Sequence, residues 1–184
     1  MNMELVKALS DKESYPGKVD KIDMKETHIS WVFLTGKYAY KVKKPVNYGF
    51  LDFSTLEQRK HYCEKELQLN RRLCKDVYLS VVPITESNGA IKIGGTGKII
   101  DYAVKMRQLP QDRIMSLLIR KGKVKKSHIS KIARNIADFH KKADAIKGGH
   151  GSLGMIKGNC DENFSQTREF VGRSISKKQY NYIG

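Results

Sequence analysis

Lys41 and Glu66 are two charged residues whose types and positions suit the binding of a phosphate group. Lys41 lies in the run YAYKVKKPV (38–46), a predicted β-strand, and Glu66 lies on a predicted helix further along the chain. An ammonium group donates hydrogen bonds to phosphate oxygens, and a nearby carboxylate holds a flexible lysine in place and keeps it charged. Lys43 lies two residues after Lys41 and therefore on the same face of the strand. The pattern predicts a phosphate-binding lysine with an acidic partner.

Three other motifs lack the context that their chemistry requires. The segment IGGTGKII (93–100) lacks the first glycine and the Ser or Thr of a P-loop, and it leads into a predicted strand rather than a helix. His140 lies on the apolar face of a predicted helix, which favours a packed core residue over a ligand. The segment HGSLG (150–154) has no neighbouring metal-ligand pattern and predicts a loop.

The strongly basic composition points to anionic partners. The 184 residues carry a formal net charge of +16, which attracts polyanions such as nucleic acid or phosphorylated small molecules without choosing among them. The tract RKGKVKK (120–126) can touch phosphates, although such charge runs are more often solvated connectors. A basic nucleic-acid-binding module is therefore an open alternative, although neither a single-strand-binding motif nor a helix-turn-helix pair supports it.

The N-terminus and the cysteines predict a cytoplasmic protein with no membrane partner. The run MNMELVKALSDKE is charged too early for a signal peptide, and no apolar run approaches the roughly 20 residues that span a bilayer. The cysteines are odd in number and have no C-x-x-C spacing, which favours reduced thiols (Cys63, Cys74 and Cys160).

The first half of the chain predicts strands around one long helix. A short opening helix precedes strands within residues 18–46, with a hairpin turn at Thr35-Gly36-Lys37. The segment 53–73 predicts a helix that starts with a capping box of Ser54 and Glu57. Its apolar positions repeat at helical spacing (Leu56, Tyr62, Leu69 and Leu73). Two further strands, 78–84 and 98–106, are joined by a connector rich in turn residues.

The second half predicts helices. Asp112 and Ser127 are expected to cap two of them, and the second carries an apolar stripe (Ile129, Ile132, Ala133, Ile136, Ala137 and His140). A short helix is expected around ENFSQTREFV (162–171). Strands and helices that are segregated in this way predict an α+β fold in two lobes, residues 1–108 and 109–184.

The block KKPV…GFLDFSTLE, within the segment THISWVFLTG to YAVKMRQLP, resembles the aminoglycoside phosphotransferase-like family of protein-kinase-like proteins. More specifically, it resembles the branch often fused to a P-loop ATP-binding domain. The resemblance covers residues 18–143, and KKPV…GFLDFSTLE is its specific part. It implies a kinase-like N-lobe, an antiparallel sheet with one packed helix, followed by the first helices of an incomplete C-lobe.

The resemblance also implies roles for individual residues. Lys41 would bind the phosphates of ATP, with Lys43 as the next candidate, and Glu66 rather than Glu64 would be the ion-pair partner. The loop KETHIS would replace the glycine-rich phosphate loop although it has no glycine, and Ser30 would contact phosphate there. The hinge that binds adenine through the backbone of Arg107 and Leu109 would comprise four residues (Met106, Arg107, Gln108 and Leu109).

The catalytic part of the implied kinase-like site is missing from this sequence. Phosphoryl transfer needs a catalytic-loop aspartate and magnesium ligands, and no H-x-D motif occurs in the 184 residues. The expectation is a truncated chain, inactive alone, whose magnesium ligands lie beyond Gly184 in a fused or missing C-terminal half. The acceptor would be a small-molecule hydroxyl. Besides the nucleic-acid-binding module, a non-catalytic kinase-like scaffold that binds a partner is an alternative.

Overall fold

The computed structural model describes residues 2–144 and 151–183. The chain divides into two compact units, residues 1–129 and 130–184. The first unit holds a β-sheet with its helices, and the described residues of the second are mainly helical. The boundary predicted between residues 108 and 109 lies N-terminal to this division.

Six strands and six α-helices form within the described residues, which confirms the predicted α+β class. The strands are Asp23–Glu26 (β1), Ser30–Leu34 (β2), Tyr38–Lys43 (β3), Tyr78–Ser87 (β4), Ala90–Ile93 (β5) and Lys98–Arg107 (β6). The α-helices are Asn2–Leu9 (α1), Leu56–Asn70 (α2), Met115–Arg120 (α3), Lys126–Lys141 (α4), Leu153–Thr167 (α5) and Lys177–Ile183 (α6). Short 3-10 turns are Lys12–Ser14, Gln111–Arg113 and Arg168–Phe170.

The six strands form one antiparallel sheet in the order β1-β2-β3-β6-β4-β5. β3 is therefore an internal strand, with β2 on one side and β6 on the other. The lysines of β3 consequently do not lie on an exposed edge of the sheet. They need partners on a covered face, because a buried ammonium group without an acceptor is strongly unfavourable.

Each face of the sheet is covered by a helix. On one face, Leu9 of α1 packs in a buried apolar cluster with Tyr40 and Val42 of β3. Successive strand residues point to opposite faces, so Lys41 and Lys43 point to the other face, where α2 packs. The prediction of a single packed helix was therefore incomplete, because α1 closes the core on the face opposite α2.

Helix α2 begins one residue later than its predicted capping box. Thr55 Oγ1 accepts from the Gln58 N–H at 3.2 Å, and Gln58 Oε1 accepts from the Thr55 N–H at 3.2 Å. The prediction of Ser54 and Glu57 was wrong because Asp52 Oδ1 already accepts from the Ser54 N–H at 2.8 Å. That bond holds Ser54 in the preceding turn and leaves Thr55 as the extended residue that starts the helix.

The buried side of α2 carries charged residues beside a buried cysteine, rather than the predicted leucine stripe. The predicted apolar stripe is largely exposed (Tyr62 40%, Leu69 54% and Leu73 63%). The side chains that face the sheet are Arg59, Cys63 and Glu66, which recur at helical spacing. The stripe prediction failed because the sheet presents charged partners to this helix, and these partners select the charged face.

The connector between β4 and β6 contains the short strand β5, which the sequence prediction missed. Asn88 and Gly89 have φ angles of 50° and 77°, so they form a tight hairpin turn from β4 into β5. An Asn-Gly pair between strands is a strong hairpin signal because both residues tolerate positive φ. The predicted hairpin at Gly36, with φ of 89°, is confirmed between β2 and β3.

The predicted caps of the later helices were wrong. Asp112 lies inside the 3-10 turn, and Ile114 precedes α3 without a side-chain cap. Ser127 lies inside α4, which begins at Lys126 because His128 Nδ1 accepts from the Lys125 N–H at 3.2 Å. The tract 120–126 is an exposed connection between α3 and α4 over most of its length.

The helices of residues 130–184 present apolar side chains to solvent. His140 is exposed, so its predicted place in a core was wrong, and Ile132 and Ile136 of the same stripe are 41% and 47% exposed. The predicted loop 150–154 begins at a residue outside the described ones and ends inside α5, because Ser152 caps that helix. The short helix predicted at 162–171 is the end of α5 and the following 3-10 turn.

Within the residues that the structure describes, no helix is long and apolar enough to cross a membrane. The three cysteines are free thiols in the structure. Cys63 is fully buried, and burial raises the pKa of its thiol to about 12.

Candidate functional site

Lys41, Lys43 and Glu66 meet between β3 and α2, in what we term the lysine–glutamate cluster. Lys41 Nζ donates a hydrogen bond to Glu66 Oε1 at 2.8 Å, and Lys43 Nζ donates one to Glu66 Oε2 at 2.8 Å. One carboxylate therefore contacts two ammonium groups, and the cluster carries a net positive charge. Glu64, the less favoured partner in the sequence, lies on the exposed side of α2, 3.8 Å from Lys60.

The two lysines of the cluster differ in exposure. The Lys41 side chain is 28% exposed, whereas Lys43 is 5% and Glu66 13% exposed. Burial of the Glu66 carboxyl group opposes its ionisation, but the hydrogen bonds and charges of the two lysines outweigh burial and lower the pKa of Glu66. The carboxylate is thus ionised at neutral pH, and Lys41 is the ammonium group that an anion in solution can reach.

An ion pair near the start of α2 fixes the helix to the sheet. Arg59 Nε donates to both carboxylate oxygens of Asp101 in β6, at 2.9 and 3.0 Å, and each side chain is 5% exposed. Burial raises the pKa of Asp101, and the adjacent Arg59 acts in the opposite direction. After the other end of the helix, Arg71 Nε donates to the Tyr78 carbonyl of β4 at 2.8 Å. These contacts hold Glu66 over β3.

The segment that follows β3 folds back beneath Lys43. Phe53 is 2% exposed, and its ring centroid lies 4.7 Å from Lys43 Nζ. The Phe53 N–H donates to the Val46 carbonyl at 2.8 Å, which closes the loop between them. Arg59 Nη1 donates to the Phe53 carbonyl at 3.1 Å. The block KKPV…GFLDFSTLE therefore forms the environment of Lys43 and leads directly into α2.

Ser30 does not lie on the accessible side of the cluster. It is 0% exposed, and within residues 2–144 and 151–183 its hydroxyl oxygen has no hydrogen-bond partner. The KETHIS loop is closed by Thr27, whose N–H and Oγ1 both donate to the Ser30 carbonyl, at 2.9 and 3.1 Å. No ligand can contact the Ser30 hydroxyl in this conformation, so the structure separates Ser30 from Lys41 as a surface group.

The four predicted hinge residues lie at the end of β6 and just after it. Met106 pairs with Ala39 of β3, and the Arg107 N–H donates to the Val77 carbonyl at 2.8 Å. Gln108 bridges to the β2–β3 turn: its N–H donates to the Lys37 carbonyl at 3.1 Å, and its Oε1 accepts from the Gly36 N–H at 2.8 Å. These bonds fix the segment against β3, the strand that carries Lys41.

Leu109 follows as the first residue beyond these hinge bonds. It is 54% exposed, and in the described part of the chain its N–H makes no hydrogen bond. The Arg107 N–H is already used inside the sheet, so of the two backbone N–H groups only that of Leu109 can donate to a ligand.

Sequence reasoning missed Phe53, Arg59 and Asp101. Phe53 was placed in the segment that opens the helix, and its contact with Lys43 depends on the path of the whole loop. The signal for the ion pair was Asp101 directly after Ile99 and Ile100 in β6, since a buried carboxylate requires a cationic or hydrogen-bonding partner. The identity of that partner depends on how α2 packs, which the sequence does not specify locally.

Metal ligands do not cluster in the described residues. No group of three or more His, Cys, Asp or Glu side chains that could hold a metal ion occurs in 2–144 and 151–183.

No family model matches the chain, and no solved structure matches it significantly. The chain is similar to the uncharacterized protein Rv2004c of Mycobacterium tuberculosis (strain ATCC 25618 / H37Rv) and to the uncharacterized protein Mb2027c of Mycobacterium bovis, with 29% identity over 157 residues in each case. The match covers 84% of this chain and 30% of each relative. The chain thus corresponds to under a third of the length of these relatives.

Proposed function

We propose that this chain binds the phosphate groups of ATP through Lys41, as the nucleotide-binding part of a phosphotransferase that acts on a small-molecule hydroxyl. The observation that carries the proposal is the 2.8 Å ion pair between Lys41 on an internal strand and Glu66 on the packed helix. In kinase-like enzymes, a strand lysine held by a helix glutamate contacts the nucleotide phosphates.

The charge and exposure of the cluster support phosphate binding. Two ammonium groups share one carboxylate, so a positive charge is left for an incoming anion. That charge is located on a partly enclosed side chain, where the effective dielectric constant is lower than in water and attraction to a phosphate is stronger. Leu109 lies just beyond the other end of β3, and its N–H, which has no acceptor among the described residues, supports the proposed adenine contact.

The transfer step needs a catalytic loop, and the H-x-D motif of such a loop does not occur in the 184 residues. A catalytic-loop aspartate and magnesium ligands are required to orient the acceptor and neutralise the transferred group. We therefore expect the 184-residue chain to bind nucleotide without transferring phosphate by itself. In the longer relatives, such groups are expected in the part that this chain does not cover.

Calorimetric titration of the 184-residue chain with ATP, with and without Mg²⁺, tests the proposal. Lys41→Met should weaken ATP binding about tenfold or more, the size expected for a lost hydrogen bond between charged groups. Lys98→Met is the matched control, since Lys98 is an exposed lysine at the far end of β6 and its loss changes the net charge equally. Equal affinities for wild type and Lys41→Met would refute the role of Lys41.

Salt dependence distinguishes a nucleotide site from a polyanion-binding surface. Binding of a nucleic acid across a basic surface releases many counterions and weakens steeply with salt. The affinity for ATP held by Lys41 should fall less steeply with salt concentration. If affinity falls steeply with salt concentration, and equally so in Lys41→Met and Lys98→Met, the basic nucleic-acid-binding module is favoured instead.

A further inference from the structure

The two lysines of the lysine–glutamate cluster are bound to the same carboxylate in different ways. Lys43 is 5% exposed and lies between the Glu66 carboxylate and the face of the Phe53 ring. Lys41 contacts the other carboxylate oxygen and is 28% exposed. Both hydrogen bonds are 2.8 Å long, so the difference lies in what surrounds each ammonium group.

The surroundings of Lys43 leave it little freedom to move. Phe53 is held by a backbone bond to Val46 and by Arg59, which is itself fixed to Asp101. A cation against an aromatic face gains electrostatic attraction that increases as water is excluded. Lys43 is therefore fixed by contacts on both sides, whereas Lys41 has solvent on one side.

We propose that Lys43 is a positioning residue that remains paired with Glu66, and thereby allows Lys41 to turn toward a phosphate. This inference rests on the proposed function for the phosphate contact of Lys41. The fixed pair of Lys43 and Glu66 is a property of the protein without nucleotide.

The physical reason is the cost of leaving a buried carboxylate unpaired. If Lys41 were the only partner of Glu66, any movement of Lys41 toward a ligand would leave the buried carboxylate unpaired, which is strongly unfavourable. Because Lys43 keeps its bond to Oε2, Glu66 stays neutralised while Lys41 exchanges part of its contact for a phosphate oxygen. Lys43 thus holds the glutamate, and Lys41 is left to bind the ligand.

The first test is the titration of Glu66 without nucleotide, followed by NMR of its side-chain carboxyl carbon. Both Lys41→Met and Lys43→Met remove one hydrogen bond from Glu66. We expect Lys43→Met to raise the pKa of Glu66 more and to lower the melting temperature more, because its charge is the more buried. Cys63 and Tyr78 also face Glu66, but the raised pKa of each keeps it uncharged in the acid range. A larger rise of the Glu66 pKa in Lys41→Met would overturn the proposal.

The second test adds ATP. In the wild type, ATP should leave the pKa of Glu66 nearly unchanged, because Lys43 stays paired with it. In Lys43→Met, ATP should raise the pKa of Glu66, because Lys41 moves toward the phosphates. Because this step leaves Glu66 unpaired, Lys43→Met should also bind ATP more weakly than wild type. Lys43→Arg should restore most of that affinity, because an arginine keeps a cation over the Phe53 ring. Failure of Lys43→Arg to restore affinity, in a variant as stable as wild type, would contradict the positioning role.

If Lys43→Met does not fold, NMR of the lysine side-chain amines in the wild type shows which of the two lysines contacts ATP. ATP should shift the Lys41 Nζ signal strongly and leave that of Lys43 nearly unchanged. A stronger shift at Lys43 would overturn the assignment. Absence of ATP binding in the wild type would refute the proposed function and the ligand step, and the nucleotide-free titration would still decide whether Lys43 holds Glu66.

Discussion

At the scale of single residues, an internal strand accepts two lysines because one glutamate neutralises both in part. Lys41 and Lys43 point to the same face of β3 and bond to the two oxygens of Glu66. The pairing of Lys41 with Glu66 could be predicted, because residue type and the order of strand and helix both pointed to it. The fixed position of Lys43 could not be predicted, because it depends on contact with the ring of Phe53, ten residues further along the chain.

Ser30 is the second residue whose position decides its role, and it gives a direct prediction. Its hydroxyl is buried and has no hydrogen-bond partner in the described part of the chain, so Ser30→Ala removes a group that loses its hydration on folding without gaining a bond there. We expect Ser30→Ala to leave the stability unchanged or to raise the free energy of unfolding by about 1 kcal/mol. Urea unfolding measures this change.

ATP titration of the same variant checks whether Ser30 touches phosphate. The structure predicts the same affinity as wild type, because the hydroxyl is not accessible. A loss of stability above about 1 kcal/mol would show that the hydroxyl has a bonding partner in solution, and a loss of ATP affinity at unchanged stability would show a phosphate contact.

At the scale of elements, α2 is held to the sheet by charged contacts rather than by an apolar stripe. The pattern of leucines predicted the existence of this helix but not the face that it buries. Arg59 and Glu66 lie on the buried face because the sheet presents charged partners there, Asp101 for Arg59 and the lysines of β3 for Glu66. A prediction from periodicity alone assigns burial to apolar side chains, and it fails where the partner surface is charged.

The ion pair between Arg59 and Asp101 should be the more important of these contacts for stability. Arg59→Met leaves the Asp101 carboxylate buried with the Tyr102 N–H as the only hydrogen-bond donor among residues 2–144 and 151–183, and it also removes the donors to the Phe53 and Ser54 carbonyls. We expect a loss of about 3–5 kcal/mol in the free energy of unfolding. Chemical denaturation measures it.

The double variant Arg59→Met/Asp101→Asn is the matched comparison. It removes the unpaired charge, so it should recover part of the stability that Arg59→Met loses. If the double variant is less stable than Arg59→Met, the loss does not arise from an uncompensated carboxylate.

At the scale of the whole molecule, acid should weaken the sheet unit through the Glu66 carboxylate. The lysines lower the pKa of Glu66 below its ordinary value of 4.5. A group whose pKa is lower in the folded state stabilises the fold above its unfolded pKa, and this stabilisation is lost as the pH falls through the folded pKa. Unfolding free energies measured from neutral pH downward should therefore decline below about pH 4.5.

Glu66→Gln is the control for this acid dependence. The glutamine cannot ionise, so the variant should be less stable than wild type at neutral pH, and the difference should shrink as the pH falls below 4.5. A constant difference at every pH would show that Glu66 contributes through its shape rather than its charge.

The sheet order has a consequence for how the chain is made. Of the six strands in the described residues, β6 comes last in the sequence, yet it lies between β3 and β4. Until it emerges from the ribosome, the nascent chain can form two separate antiparallel pieces, β1-β2-β3 and β4-β5, each with one open edge where β6 belongs. The Lys41–Glu66 contact closes a loop of only 25 residues and belongs to the early piece, whereas the Arg59–Asp101 contact, 42 residues apart, waits for β6. Before β6 leaves the ribosome, the chain therefore has two additional unpaired strand edges, those of β3 and β4, and it is then most exposed to pairing with a neighbouring chain.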